Sequence, residues 1–496
     1  MTVPAPQIIE ENQRLKSEVK VLSLRVKALE KELYGRRSDK RPEEDPAQGK
    51  LEGIEEEASQ WEIERSQESH PKRKAAGTGK KKGPKPLNPN LPRVTESVPD
   101  PDLKKLICPV TGKMMKPAFT EKIEVLARKP AEWYVRVITR TIHASPGGDA
   151  VSYRPWPANV LPKGRIDVSV IANLLTGRFA DHQPYHRQCG QFARQGISFA
   201  PNTLVSLVRQ ACEKLEPIYR AIIAETLGTS YLMMDPTPVP LMSPQKKGST
   251  KEACLWTYRA LDGPVFFEFA EGKHGTTPAK TLENYQGILQ TDGANNFGGV
   301  PARPGVTHVN CWSHARRYFI RVAEAGETEA NVYLDEIDRL FRIERLARHF
   351  KLRPQNLLKL RARHSEPLVD SIFSRARTYA ETELMKKTAI PKAINYLLAR
   401  EKELRECFLH APSRIDNNLA ENALRPIKLG AKNWLFIGHP NAGPRAALMF
   451  TLIENCRMLG INPETYLTDV LTRVDDHPAS RIDELTPHNW AKSKNA

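Results

Sequence analysis

Three acidic residues, Asp235, Asp292 and Glu421, have types and positions suited to binding divalent metal ions together. Each aspartate follows an apolar run that predicts a buried strand, and Glu421 lies in a segment that predicts a short amphipathic helix. Mg²⁺ is a hard cation that prefers oxygen ligands, and two such ions about 4 Å apart can activate a nucleophile and stabilise a leaving oxygen. The simpler alternative is that each acid is an ordinary loop residue. The three acids predict a two-metal site if the fold brings them together.

The segment around Glu421 predicts a capped helix. Asp416 or Asn417 is a suitable N-cap, and Glu421 and Arg425 fall one turn apart on one face. A carboxylate and a guanidinium so placed suit a group that holds a metal ion beside a phosphate, whereas the alternative is an exposed ion pair. Pro426 is predicted to end this helix.

Further candidates for contact with nucleic acid lie near the predicted acids. His314, Arg316 and Arg317 open a helix that follows a strand, so they are predicted to contact phosphate, with surface charge as the alternative. Trp434 follows the glutamate helix and is a candidate to stack on a base. The alternative for Trp434 is a buried core residue.

The elements that must position the acids follow an α/β pattern. Three strands, a helix and two further strands before a helix favour an RNase H-like core, in which acids at the ends of the first and fourth strands meet an acid on a later helix. The core is predicted in two parts, residues 229–326 and 413–474, around a helical insertion at 327–412. Residues 475–496 read as a polar tail. The sequence thus predicts a multidomain α/β protein.

Four further segments precede this core. Residues 1–39 keep a seven-residue apolar repeat with valine and one asparagine at one core position, which predicts a two-stranded coiled coil; a helix packed on its own chain is the alternative. Residues 40–94 read as a disordered linker, acidic and then basic. Residues 95–162 predict a small β-rich module, and residues 163–228 a helical module.

Two of these segments carry candidate DNA contacts. The basic half of the linker is cationic and extended enough to lie along phosphates, although a solvated tail would have the same composition. In the helical module, Arg187 and Arg194 flank a predicted turn, which fits a helix-turn-helix unit as well as ordinary helix packing. The linker candidates are Lys80, Lys81, Lys82 and Lys85.

The composition of the 496 residues limits the classes of function. Lys and Arg total 75 against 58 Asp and Glu, a net charge of +17 that points first to nucleic acid and less to a membrane surface. No apolar run is long enough to span a membrane, and Glu10 and Glu11 stand where a secretory signal would be basic and then apolar. The seven cysteines form no C-x-x-C pair. We therefore expect a cytosolic protein with reduced cysteines.

Several motifs resemble those of the insertion-sequence 66 family of bacterial DDE transposases. They lie at residues 33–40, 234–239, 289–293, 311–319, 415–421, 432–436 and 462–467. The resemblance spans nearly the whole chain. It implies that Asp235, Asp292 and Glu421 bind two Mg²⁺ ions, with Mn²⁺ as a substitute.

The sequence departs from that family at three places. Pro236 stands where the family usually has glutamate, and residues 294–297 replace its usual aromatic and glycine residues. The family's zinc module keeps one cysteine, Cys108, while His143 stands where a second pair belongs. One or two ligands cannot close a tetrahedral site, so zinc is not expected.

The resemblance implies a transposase that cuts at the ends of a mobile element and joins the 3′ ends to target DNA. Its expected partners are the terminal inverted repeats, target DNA, a second copy through the coiled coil and helper proteins of the same element, without a membrane. Its expected location is the bacterial cytoplasm at the nucleoid. The alternatives are a catalytically inactive repressor derived from a transposase and an RNase H-like nuclease that does not join strands.

The basic half of the linker gives a prediction about salt dependence. Eight basic residues and no acid lie between Lys72 and Arg93, so contact with phosphates would release counterions. Deleting residues 70–94 should lower the affinity for DNA of any sequence and flatten the slope of log K against log salt. Fluorescence anisotropy over a salt series measures both, and an unchanged slope would show that the linker does not touch phosphates.

Overall fold

A computed structural model describes Trp133 and residues 143–144, 151–152, 166–243, 248–293, 297, 299–382 and 389–495. The chain divides into a unit of residues 69–154 and a unit of residues 1–68 with 155–496. In the former, strands β1 (His143–Ala144) and β2 (Val151–Ser152) pair antiparallel. The predicted coiled coil, the linker with Lys80, Lys81, Lys82 and Lys85, and most of the β-rich module lie outside the described residues.

Five strands of the larger unit form one mixed sheet. They are β3 (Tyr231–Met242), β4 (Thr250–Ala260), β5 (Val265–Ala270), β6 (Gly287–Thr291) and β7 (Val306–Asn310). Their order across the sheet is β5-β4-β3-β6-β7. Neighbours among β3, β4 and β5 pair antiparallel, while β6 is parallel to both β3 and β7. The predicted α/β class is confirmed, and β3 occupies the centre of the sheet.

Helices of the larger unit surround this sheet. In chain order they are α1 (Val168–Phe179), α2 (Tyr185–Arg194), α3 (Pro201–Leu227), α4 (Thr276–Thr281), α5 (Trp312–Glu324), α6 (Ala330–His349), α7 (Pro354–Leu360), α8 (Glu366–Ala380), α9 (Pro391–Leu398), α10 (Glu401–Leu409), α11 (Asn418–Trp434), α12 (Ala442–Met458), α13 (Pro463–Arg473) and α14 (Pro487–Asn495). A π-helical turn joins α7 to α8. Among the described helices, none is both long and apolar enough to cross a membrane.

Strand β3 is longer than the sequence predicts. It was expected to end at Asp235 but continues to Met242 through prolines at alternate positions, Pro236, Pro238 and Pro240. In a strand, the backbone nitrogens of alternate residues lie on the same edge. The Met242 N–H and the Pro240 carbonyl bond to Ile437 on the edge of β3 that faces away from β4, so the nitrogens of the three prolines lie on that edge too. Pairing with β6 stops at Met233, so the prolines cost no ladder bond there.

Side chains of α12 close the outer edge of β5. The Asn455 amide accepts from the N–H of Val265 at 3.1 Å and donates to its carbonyl at 2.7 Å. The Thr451 hydroxyl accepts from the N–H of Phe267 at 2.9 Å. These contacts replace the hydrogen bonds that another strand would make, so the edge does not expose unpaired backbone groups there.

The first three helices show the predicted helix, turn and helix around residues 195–200. Helix α3 begins at Pro201, whose fixed φ suits a first helical position. Helix α1 packs against α13, and α3 packs against β5 and α12. The helices between residues 163 and 228 are therefore built into the same unit as the sheet.

Helices α6 to α10 occupy the predicted insertion and pack beside β7 and α5. Their buried apolar faces form a cluster with Val309 of β7 and Trp312 of α5. Trp312 is fully buried and donates its indole N–H to the carbonyl of Leu404 at 2.9 Å. The insertion thus shares a hydrophobic core with the edge of the sheet.

Two C-terminal predictions were wrong. Helix α11 does not end at Pro426 but continues to Trp434, because one missing hydrogen bond is outweighed by the burial of neighbours such as Leu424. Residues 475–496 are not simply a polar tail. They form a 3₁₀ segment (Ala479–Leu485) and α14, in which Trp490 is buried.

A buried ion pair links the insertion to the segment before α11. The Arg361 guanidinium contacts the Glu344 carboxylate at 2.7 and 2.9 Å, and both side chains are buried. The same guanidinium donates to the carbonyls of His410 at 2.8 Å and Ser413 at 2.7 Å. Arg361 therefore ties the end of α10 to the chain that leads into α11.

Removing Arg361 should destabilise the protein strongly. Arg361→Ala leaves the Glu344 charge and several carbonyls buried without partners, which should cost about 3–5 kcal/mol of unfolding free energy. Arg209→Ala is the control, because its pair with Glu213 is exposed and should contribute about 0–1 kcal/mol. Urea unfolding of both variants measures the difference, and equal losses would contradict the assigned role of the buried pair.

Candidate active site

Asp235 lies within β3 and is the buried member of the three predicted acids. Its side chain is almost inaccessible to solvent. Burial, together with the charges of Asp292 and Glu421, raises the pKa of Asp235 to about 7. Because such effects fall off with distance, the three carboxylates lie near one another. The fold thus brings together acids that are far apart in sequence.

Asp292 follows β6 directly, as the sequence predicts. Its carbonyl accepts a hydrogen bond from the Tyr396 hydroxyl at 2.7 Å. The next residue, Gly293, has a φ of +80° and accepts from the Arg400 guanidinium at 2.8 and 2.6 Å. A Cβ at Gly293 would lie 2.6 Å from Arg400, so glycine suits both the turn and the close approach. The insertion therefore holds the backbone of this acid.

Glu421 lies in the first turn of α11, whose start is fixed by buried polar contacts. The Asn417 side chain donates to the carbonyl of Met234 at 2.8 Å, directly before Asp235. The Asn417 N–H donates to the Cys311 thiol at 3.2 Å. Asn417 occupies the N-cap position without a side-chain cap bond, whereas Asp416 accepts from the Asn418 N–H at 3.1 Å. Asn417 therefore joins the start of α11 to β3.

Two of the predicted basic residues contact Glu421. Arg317 reaches Oε2 at 3.4 Å, and Nδ1 of His314 lies 3.7 Å from Oε1. Oε1 is buried and has no hydrogen-bond partner among the described residues. Such an orphaned oxygen beside other acids is suited to a cation ligand.

Arg316 differs from these neighbours, because its guanidinium contacts Asp338 of α6 at 2.6 Å. This side chain is therefore engaged with the insertion, and its prediction as a phosphate contact gains no support. The helical periodicity explains the difference, since adjacent residues of α5 point to different sides.

The other predicted DNA contacts are spread over the unit. Trp434 is 9% exposed, with the Arg178 guanidinium 5.7 Å from its ring centroid, so the alternative of a core tryptophan is the better description. Arg425 is exposed on α11, and Arg187 and Arg194 are exposed on α2. The buried ring of Trp434 is not available as a platform for bases.

Sequence reasoning missed several residues of the site. Lys428 and Lys273 each lower the pKa of Asp235 through their charge, so both lie near the acids. Lys428 stands two turns after Glu421, a spacing that was visible in the sequence. Cys311 is fully buried, and burial raises the pKa of its thiol to about 12. No local signal connects Lys273 or Cys311 to the acids.

The donor atoms fit a divalent cation. Ligand atoms of Cys311, His314 and Glu421 all lie within 4.8 Å of one another. The protonated thiol is a poor ligand for a hard ion, whereas the carboxylates of Asp235, Asp292 and Glu421 supply the oxygen atoms that such an ion prefers. Their mutual repulsion, seen in the raised pKa of Asp235, also favours a cation.

The net charge of +17 is typical of a chain that binds nucleic acid. The family model described as “Transposase IS66 family” matches residues 163–445, more than half of the chain. Further models match residues 451–488 (“IS66 C-terminal element”) and 21–95 (“Transposase C of IS166 homeodomain”). The chain belongs to the IS66 family of transposases.

Relatives from Sinorhizobium fredii (strain NBRC 101917 / NGR234) are similar over most of their length. “Uncharacterized protein y4hP” is 29% identical over 411 residues, covering 78% of this chain and 73% of the relative. “Uncharacterized protein y4qI” is 27% identical over 440 residues, covering 84% and 80%. These relatives suggest a bacterial setting. Family membership implies DNA as the partner, a DNA-processing role and use of divalent metal in general.

The site predicts how metal-free protein responds to pH. Folding raises the pKa of Asp235 from 3.8 to about 7, so the folded state binds its proton more tightly than the unfolded chain. The contribution of Asp235 to the free energy of unfolding is therefore greatest below about pH 4 and is lost as the pH rises through about 7. At about pH 8, Asp235→Asn should therefore stabilise metal-free protein, on the order of 2–4 kcal/mol.

Adding Mg²⁺ at the same pH should raise the melting temperature of the unmodified protein and have little effect on Asp235→Asn. Glu283→Gln is the control, because Glu283 is exposed before β6 and should change neither response. Differential scanning fluorimetry measures all three proteins. Equal stabilisation of Asp235→Asn by Mg²⁺ would show that Asp235 does not bind the ion.

Proposed function

We propose that this protein is an active DDE transposase that cleaves the ends of its element and joins the 3′ ends to target DNA. Asp235, Asp292 and Glu421 would be the metal ligands, with Mg²⁺ as the ion and Mn²⁺ as a substitute. The observation that carries the proposal is that buried Asp235 has Asp292 and Glu421 as charged neighbours, and that Oε1 of Glu421 is buried without a hydrogen-bond partner among the described residues. Membership of the transposase family supports it.

The strand arrangement supports an RNase H-like core. Its first three strands form an antiparallel meander, and two parallel strands extend the sheet on the other side of β3. Asp235 lies just past the last residue of β3 that pairs with β6, and Asp292 lies just past the end of β6. Parallel strands end at the same edge of a sheet, so this topology supports the proposal that the two acids are neighbours.

The residues of the chain have separable tasks in the proposed reaction. Bound ions would activate the attacking oxygen and stabilise the leaving one. The three carboxylates would hold those ions, and the side chain of Asp235 is buried from solvent. Lys273 and Lys428 lie near Asp235, and Arg317 contacts Glu421, so these cations would stabilise the charge of a phosphate bound beside the acids.

The remaining segments would bind and pair the element ends. Residues 1–39 would dimerise as a coiled coil, residues 40–94 would contact phosphates, and residues 163–228 would bind DNA through Arg187 and Arg194. Both arginines are exposed on α2, which fits this role. Residues 229–326 and 413–474 would form the catalytic core around the insertion at 327–412. Helper proteins of the element and a place at the bacterial nucleoid belong to the same proposal.

Neutralising the acids tests the catalytic role. Glu421→Gln, Asp235→Asn and Asp292→Asn keep side-chain size but remove the charge that holds an ion, so each should reduce cleavage and strand transfer by at least about a thousandfold. Binding to element ends should persist, because α2 and the linker are unchanged. Glu283→Gln should cut normally, since Glu283 is exposed and precedes β6, whereas Asp292 follows that strand.

The assay uses labelled element ends, target plasmid and Mg²⁺. Labelled product joined to plasmid excludes a nuclease that cannot join strands. Binding without any cut identifies an inactive repressor. Near-normal cleavage by any of the three neutral variants would remove that residue from the site.

A further inference from the structure

Leu435, the residue after α11, has a strained backbone. Its φ is +63° and its ψ is −48°, a backbone region that residues other than glycine rarely adopt. The N–H of Phe436 donates to the carbonyl of Trp434 at 2.7 Å, which closes a γ-turn around Leu435. Glycine would adopt this conformation without strain, so the turn by itself does not explain why a leucine is present. Strain that persists is a reason to look for a function of the side chain.

The side chain of Leu435 is held outward on a rigid support. It is 63% exposed, the largest value among the exposed large apolar residues described. Trp434 before it is buried, and Ile437 after it bonds to the backbone of β3 through Pro240 and Met242. Both sides of the turn are therefore fixed to the core. The strained turn thus presents an apolar side chain to solvent in one position.

The helix that leads to Leu435 has a basic exposed face. Arg425, Lys428 and Lys432 are exposed and recur at helical spacing on the side that begins with Glu421. Within the described residues, none of the three forms an ion pair, and no exposed residue of α11 after Glu421 is acidic. This face attracts a polyanion, and it would repel the same face of a second copy.

The acids and Leu435 lie at opposite ends of this face. Fourteen residues separate Glu421 from Leu435, which corresponds to about 21 Å along a helix. That length matches about six base pairs of duplex DNA. Leu429, 60% exposed, adds apolar surface six residues before Leu435. A duplex along α11 would therefore meet the acids at one end and a fixed leucine at the other.

We propose that Leu435 inserts between base pairs of DNA bound along α11 and unstacks a step about six base pairs from the cut phosphate. This inference rests on the proposed function, because it takes the three acids as the place of cutting. Apolar side chains such as leucine open base steps in other DNA-binding proteins, and the bent duplex then contacts more protein. The cations of α11 hold the backbone while Leu435 enters the stack.

The test uses full-length protein and an element-end duplex. A 2-aminopurine base is placed in turn at each position within about ten base pairs on both sides of the cut. Wild-type protein should raise the fluorescence at a position about six base pairs away, because unstacking relieves quenching. Leu435→Gly should reduce that rise at least about threefold while binding stays within about threefold, since the cations remain.

Glycine and asparagine both accept a positive φ, so Leu435→Gly and Leu435→Asn should fold, and the former should melt no lower than wild type. Leu435→Phe should keep the fluorescence signal, because it keeps an apolar side chain. Leu459→Ala is the matched control, because Leu459 is also exposed, at 38%, but follows α12. Its signal should equal that of wild type.

The fluorescence rise tests the insertion of Leu435, and DNA cutting tests the proposed catalysis, so the two can fail independently. An unchanged fluorescence rise in both Leu435→Gly and Leu435→Asn overturns the insertion, even if wild-type protein cuts DNA normally. A Leu435-dependent rise in protein that does not cut supports the insertion and rejects the proposed catalysis. If sedimentation shows that Leu435→Gly lowers the oligomeric state while the fluorescence rise is unchanged, the leucine is a protein contact and the insertion is wrong.

Discussion

Electrostatic repulsion among three carboxylates is the constraint on which the rest of the structure depends. Asp235 is buried, and the charges of Asp292 and Glu421 raise its pKa further. Without support, such acids would move apart or take up protons. Contacts to the backbone hold two of these acids in place: Asn417 bonds to the carbonyl of Met234 beside Asp235, and Tyr396 bonds to the carbonyl of Asp292. Oε1 of Glu421 has no hydrogen-bond partner among the described residues, which suits a cation ligand.

The helical insertion is part of this support. Tyr396 and Arg400 hold the turn after β6, and Arg361 holds the segment before α11. Gln290 of β6 also donates to the carbonyl of Arg414 at 2.8 Å, and the Tyr231 hydroxyl of β3 donates to Gln290 at 2.8 Å. Each acid is therefore fixed through a different element, and those elements are tied to one another. A change in the insertion can alter the site without touching an acid.

Positive charge near the acids comes mainly from helices that begin or pass beside them. Arg317 lies in α5, while Lys428 lies in α11, two turns after Glu421. In a family whose partner is DNA, these cations beside the acids support the proposed phosphate contact. Helix α11 thus carries an acid of the proposed site, a basic face and the turn at Leu435. These three features lie on one helix because α11 continues past Pro426 to Trp434.

The sequence by itself determined the strands, the position of Asp292 after β6 and the grouping of the three acids by motif. Apolar runs and turns are local signals, so they can be recognised in the sequence without knowledge of the fold. Only the tertiary structure decided that β3 continues past Asp235, that Trp434 is buried, and that Arg316 contacts Asp338. These outcomes depend on partners distant in sequence, because an edge, a core or an ion pair exists only once the chain has packed.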